Sequence, residues 1–146
     1  MPFLVDSSFA IDYLNEQQYT IEVLRSPPDL VGRVVDESNP GYKIPSPVLY
    51  ELYVGARRAD SDSESPATVD SALSWADPVP FSRADALEAS AIKDELLNEG
   101  NIINEFDILI AGIARRRDLT VLATDKDYSD VDDLSAFVIA PNQRDS

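Results

Sequence analysis

The chain has 146 residues, 27 acids against 12 bases, and neither histidine nor cysteine. That length suits one domain with a core of its own. The missing residue types exclude disulfides, cysteine-held zinc, thiol nucleophiles and every triad or acid–base pair that turns on imidazole.

Phe3-Leu4-Val5 is a short apolar run closed by Asp6-Ser7-Ser8, and reads as a buried strand with a serine capping the helix that follows. Phe9, Ile11 and Leu14 then share a helical face. Tyr19 to Glu37 is apolar at helical spacing but is broken by Pro27-Pro28 into two pieces, with Pro28 near a helix start. Ser38-Asn39-Pro40-Gly41 is a turn, and Tyr42 to Pro45 is a short extended piece. Ser46-Pro47 opens a helix that runs from Val48 to about Ala59. The low-complexity stretch ADSDSESP at 59–66 is expected to be a flexible acidic loop. A short helix over Ala67–Ala76 and an extended connector, Asp77 to Phe81, come next. Ser82 caps a longer helix, Ala84 to Glu99, which Gly100 ends. Asn104 opens a further helix that finishes in Arg115-Arg116-Arg117, where cations suit the dipole. Leu119–Thr124 and Ala136–Ala140 are strands. Nothing at the N-terminus has the form of a signal peptide, and no apolar run nears the roughly 20 residues of a membrane span. A cytoplasmic protein without a membrane partner is expected.

Short apolar strands separated by helices predict an α/β fold with a short, mainly parallel central sheet flanked by helices. In such folds ligands sit beyond the carboxyl ends of the strands. Asp6 and Asp125 each directly follow a strand. Glu51 lies early in a helix within Val48-Leu49-Tyr50-Glu51-Leu52-Tyr53, and Asp107 is embedded in Phe106-Asp107-Ile108-Leu109-Ile110. Acids in apolar sequence are costly to bury unless they are paired or bind a metal. Each has a plainer reading as well. Asp6 can be an N-cap, Glu51 an exposed first-turn acid, Asp107 the far half of a capping box begun by Asn104, and Asp125 a turn cap. Asp127, Asp130, Asp132 and Asp133 read as a solvated acidic stretch. Gathered at one sheet edge, several carboxylates would repel one another unless a cation joined them, and an all-oxygen donor set suits Mg²⁺, with Mn²⁺ as a substitute.

The charge pattern adds two expectations. A formal net charge of −15 opposes binding to nucleic acid unless a cation reverses the sign locally. The 18 Asp and 9 Glu stand against three Lys and nine Arg, a balance that fits solubility in concentrated salt and points to a halophilic source.

Four segments, in this order and over nearly the whole chain, resemble the motifs of PIN-domain ribonucleases of the VapC toxin type. They are Leu4-Val5-Asp6-Ser7-Ser8; Ser46 through Arg58 around Glu51; Leu97 through Ala111 around Asp107; and Leu122-Ala123-Thr124-Asp125-Lys126-Asp127-Tyr128. The resemblance implies a single PIN domain over 1–146 and a catalytic Mg²⁺ site of Asp6, Glu51, Asp107 and Asp125. Asp127 is a candidate outer contributor, and Thr124 a candidate for orienting the metal's water. It further implies an endoribonuclease, the toxin of a type II toxin–antitoxin pair, that hydrolyses RNA phosphodiesters with a metal-activated water. A VapB-type antitoxin and a homodimer follow from the same resemblance. A catalytically silent PIN-like domain that binds RNA or a partner is the alternative. Arg57, Arg58 and Arg115–Arg117 are candidate RNA contacts, with dipole pairing as the other role of the last three. Tyr42, Tyr50, Tyr53 and Trp75 are candidates for an interface or for the core.

Overall fold

Two strands that are buried along their whole length dictate the architecture. In β1 (Phe3–Val5) every side chain is buried, and so is every one in β4 (Thr120–Ala123). Successive strand side chains point to opposite faces, so both faces of the sheet must be covered there, as in parallel α/β proteins. A computed structural model describes residues 2–25, 41–59 and 65–141. It shows a five-stranded, wholly parallel sheet in the order β3-β2-β1-β4-β5. The remaining strands are β2 (Tyr42–Pro45), β3 (Ala76–Val79) and β5 (Ser135–Val138). Phe3 lies opposite Tyr42 on one side and Thr120 on the other. From β1 the chain proceeds outward to β2 and β3, then returns to place β4 on the other flank of β1. The strand order therefore reverses between β1 and β4, where ligand crevices form in open α/β sheets.

Among the described residues six α-helices flank the sheet: α1 (Ser7–Leu14), α2 (Gln18–Arg25), α3 (Ser46–Arg58), α4 (Pro66–Ala72), α5 (Arg83–Asn98) and α6 (Glu105–Arg117). None of them is long and apolar enough to cross a membrane. The expected Ser82 cap is present as a full capping box with Asp85. The expected end at Gly100 is a Schellman motif. Gly100, at φ 75°, donates to the Leu97 carbonyl, and Asn101 donates to Leu96.

Several details differ from the sequence-based expectation. Ala76–Val79 is a strand, where the two prolines had suggested only a connector. It is an edge strand, the place where Pro78 costs the ladder least. Pro45, rather than Ser46, is the flanking residue of α3, and the Ser46 hydroxyl instead donates to the Val79 carbonyl. Ser65 caps α4 by accepting from the Thr68 N–H, so the helix begins at Pro66, inside the stretch read as loop. Most of that loop lies outside the described residues, as do the turn before Gly41 and the second helical piece after Pro28. Tyr42 is a core residue, stacked on Phe3 and edge-on to Trp75. Tyr53 is half-buried and bonds Asp70. Of the four candidate interface aromatics only Tyr50 is largely exposed, at 60%.

Candidate metal centre

The site forms where β1 and β4 end. Asp6 occupies the position that flanks α1, in extended conformation, but its carboxylate makes no capping bond. It turns into the protein instead and is 1% exposed. Its Oδ2 accepts from the Ser8 hydroxyl at 2.8 Å, and its Oδ1 accepts from the Tyr128 hydroxyl at 2.8 Å. Ser8 in turn accepts from the Thr124 N–H at 3.2 Å, which ties the end of β4 to the end of β1.

Asp107 stands in the first turn of α6, where the helix dipole favours an anion. Asn104 caps that helix alone, through the Phe106 N–H, so the capping-box reading of Asp107 is replaced. Its side chain is released towards Asp6, and the Tyr128 hydroxyl lies 3.1 Å from its Oδ1. Asp107 Oδ2 is buried without a hydrogen-bond partner among the described residues, and so is Glu51 Oε1. The Asp107 carboxyl is pushed up to about 7, first by burial, then by the charge of Asp6 and by a shared hydrogen bond and charge with Asp125; only the Tyr128 hydroxyl opposes this. Glu51, in the second turn of α3, is raised by burial and then by the charge of Asp6, against a hydrogen bond from Ser7.

Asp125 caps the short 3₁₀ turn Lys126–Asp130 by accepting from the Asp127 N–H at 2.9 Å. It is also a member of the cluster. One carboxylate oxygen from each of Asp107, Asp125 and Asp127 lies within 4.8 Å of the others. Asp127 is raised by burial and by its acidic neighbours Asp125 and Asp130. The five acids singled out in the sequence thus form one connected group. Asp6 and Asp107 share a hydroxyl, Glu51 feels Asp6, and Asp125 and Asp127 adjoin Asp107.

These residues fit a hard divalent cation. Buried carboxylate oxygens left without donors are destabilising on their own, and like charges facing one another raise each other's pKa. A cation relieves both, and oxygen-only donors select Mg²⁺ or Mn²⁺ over zinc. Beside Glu51 opens a largely apolar cleft of about 440 Å³ between α1, α3 and α4, lined by Ile11, Leu14, Leu52, Gly55 and Val69.

Two participants were not evident from the sequence. Ser8 reads in the sequence as one of two serines able to cap α1, and Tyr128 as the aromatic that closes a motif; both place a hydroxyl on Asp6. The arginine triplet needs correcting as well. Arg115 bonds Glu88 and Glu95, while Arg116 and Arg117 both bond Asp85. All three are bonded to acids of α5, Arg116 through its Nε alone, so their first role is to tie α6 to α5.

Comparison with known proteins bears on the family and the fold. The sequence pattern of the PIN domain matches residues 3–134. A curated relative, the tRNA(fMet)-specific endonuclease VapC of Shigella flexneri, is 32% identical over 79 residues. That stretch is 54% of this chain and spans only 60% of the relative's length. Among solved structures, VapBC2 of Rickettsia felis bound to a promoter DNA fragment superposes with a TM-score of 0.81 at 20% identity, over 96% of this chain and 100% of that one. DNA-bound VapBC of Salmonella typhimurium gives 0.78 at 21%, over 94% and 98%. VapC20 of Mycobacterium tuberculosis, a Sarcin-Ricin loop cleaving toxin, gives 0.58 at 16%, over 88% and 93%. At these identities the structural likeness speaks for the fold.

Proposed function

This chain belongs to the PIN domain family, and on that footing we propose that it is a divalent-metal-dependent endoribonuclease, the toxin of a VapBC-type pair. The observation that carries the reading is the convergence of Asp6, Glu51, Asp107 and Asp125 from four separate segments, with two of their buried oxygens left unpartnered. These four would hold Mg²⁺ or Mn²⁺, with Asp127 beside them. A bound cation would supply an acidified water and positive charge next to the scissile phosphate, the first of which stands in for the imidazole base that this chain lacks.

The chain's own groups have definable parts. Ser8 and Tyr128 fix both oxygens of Asp6. Lys126 is exposed between Asp125 and Asp127, and can offer its ammonium to a backbone phosphate. Arg57 and Arg58, exposed at the end of α3, remain as candidate phosphate contacts. Tyr50 stacks on Phe106 with ring centres 6.1 Å apart and planes at 15°. The two rings directly precede Glu51 and Asp107 in sequence, and the exposed face of Tyr50 suits an unpaired base. In a protein this acidic, stacking is a source of RNA affinity that the net charge does not oppose.

A VapB-type antitoxin and a homodimer belong to the same reading. The VapBC complexes among the structural relatives support the antitoxin, and the apolar cleft beside Glu51 offers it a place to dock.

The test is end-group analysis of RNA incubated with the protein in Mg²⁺, in EDTA, and with Asp6→Asn or Asp107→Asn. We expect 5′-phosphate and 3′-hydroxyl ends, lost in EDTA and reduced at least a hundredfold in either variant. Cyclic-phosphate ends, or cleavage that survives EDTA, would overturn the metal reading. A folded, metal-loaded protein that cleaves no RNA would leave a binding domain.

A further inference from the structure

We propose that Tyr128 is a positioning residue of the metal centre: its hydroxyl sets the spacing of the Asp6 and Asp107 carboxylates and selects which Asp107 oxygen faces the cation. This rests on the reading of those acids as metal ligands.

The geometry is specific. Tyr128 is 1% exposed, and its hydroxyl lies 2.8 Å from Asp6 Oδ1 and 3.1 Å from Asp107 Oδ1. The ring is brought there by the 3₁₀ turn that Asp125 caps and that the Val131 N–H closes on the Tyr128 carbonyl. For packing alone a phenylalanine would serve. A buried hydroxyl costs stability unless it is hydrogen-bonded, and the groups this one meets are the two most buried acids of the site.

The consequence for the ligands is directional. Asp6 is pinned at both oxygens, by Ser8 and by Tyr128. Asp107 meets the hydroxyl at Oδ1, and its buried Oδ2 is without a hydrogen-bond partner among the described residues. The one hydroxyl also bridges two acids from opposite ends of the sequence, so it holds their separation as well as their rotation. Groups that orient ligands in this way typically change metal affinity ten- to a hundredfold when removed.

The experiment compares wild type with Tyr128→Phe, which keeps the ring and removes the hydroxyl. Mn²⁺ affinity is measured by titration calorimetry and by electron paramagnetic resonance, and thermal unfolding is followed in EDTA. We expect the variant to fold and to bind Mn²⁺ about tenfold or more weakly. Unchanged affinity, with or without a lower melting temperature in EDTA, would mean that the hydroxyl is structural and would overturn this proposal while the metal reading stands. Absence of Mn²⁺ binding by the wild type would overturn both. Should Tyr128→Phe fail to fold, a chain that keeps Tyr128 still decides the matter. Mg²⁺ binding is expected to perturb the ultraviolet absorption of Tyr128, read against a Tyr19→Phe/Tyr42→Phe chain in which it is the one buried tyrosine left, and a flat difference spectrum there at metal saturation would refute the proposal.

Discussion

Asp107 and Asp85 show how differently one side chain behaves in two buried settings. Asp85 is fully buried, accepts from Arg116, Arg117 and the Ser82 backbone, and is held well below the usual carboxylate range; those hydrogen bonds outweigh its desolvation. Asp107 has one hydroxyl and several acids, and is pushed up to about 7. The stability consequences have opposite signs. The unfolded carboxyl titrates near 3.9, so between roughly pH 4 and 7 the metal-free native state holds a proton at Asp107 that the unfolded chain has released. Stability in EDTA therefore falls as pH rises through that window. Glu51 and Asp127, also raised, act in the same sense. The contribution of Asp85 stays complete through the window and is lost only in strong acid. Urea midpoints in EDTA at pH 5, 6, 7 and 8 should decline. Asp107→Asn should flatten the decline and stabilise the metal-free protein at pH 8 by about 1–3 kcal/mol, the scale of relieving an unsatisfied buried group. An equal slope in the variant would contradict this account. Asp6, Asp107 and Asp125 could be singled out in the sequence as acids at strand ends or inside an apolar helix start, but capping explained each of them equally well, and Asp125 does cap its turn. Tyr128 could not be singled out, since an aromatic after a strand reads as core whether or not its hydroxyl has a task.

At the scale of elements, the position of Asp107 depends on how α6 lies against α5. The two helices approach closely at Gly112, where an added Cβ would sit 2.7 Å from Ala89 Cβ and 2.9 Å from its backbone. Backbone cannot yield as a flexible side chain does, so Gly112→Ala must push α6 away. The expected cost is about 1–3 kcal/mol, together with weaker Mn²⁺ binding because Asp107 moves with its helix. Ala89→Gly in the same chain should recover part of both by reopening the space. Thermal unfolding and metal titration of the single and double variants check this, and additive losses would refute it. The arginine triplet at the end of α6 serves the same contact from the other side, as it binds Asp85, Glu88 and Glu95 of α5. That pairing was beyond a sequence reading. A run of three arginines suggests RNA, and the acids that occupy it are some twenty to thirty residues away, brought near by a helix pairing that local periodicity does not reveal. The edge strand β3 was hidden for a related reason. Pro78 within it, and Pro80 just after it, argue against a strand in general, and Pro78 is acceptable only because tertiary structure puts it at the sheet margin.

For the whole molecule the governing quantity is the net charge of −15. Self-repulsion of that size opposes the compact state and is screened within about 3 Å at 1 M salt. Raising KCl from 0.1 to 2 M should therefore raise the melting temperature by several degrees, with the buried ion pairs of Asp85 little affected. A flat or falling dependence would argue against adaptation to salt. The sheet order has a further bearing, on time. β1 is made first but cannot be flanked on its second side until Thr120–Ala123 has been synthesised. Asp6 therefore waits for Asp107 and Tyr128, which at 5–20 residues per second takes roughly 6–25 s. Throughout that interval the growing chain carries these acids on separate, unassembled segments. A polypeptide that stalls on the ribosome before β4 would therefore lack Asp125, Asp127 and Tyr128, and its earlier acids would face water without their partners.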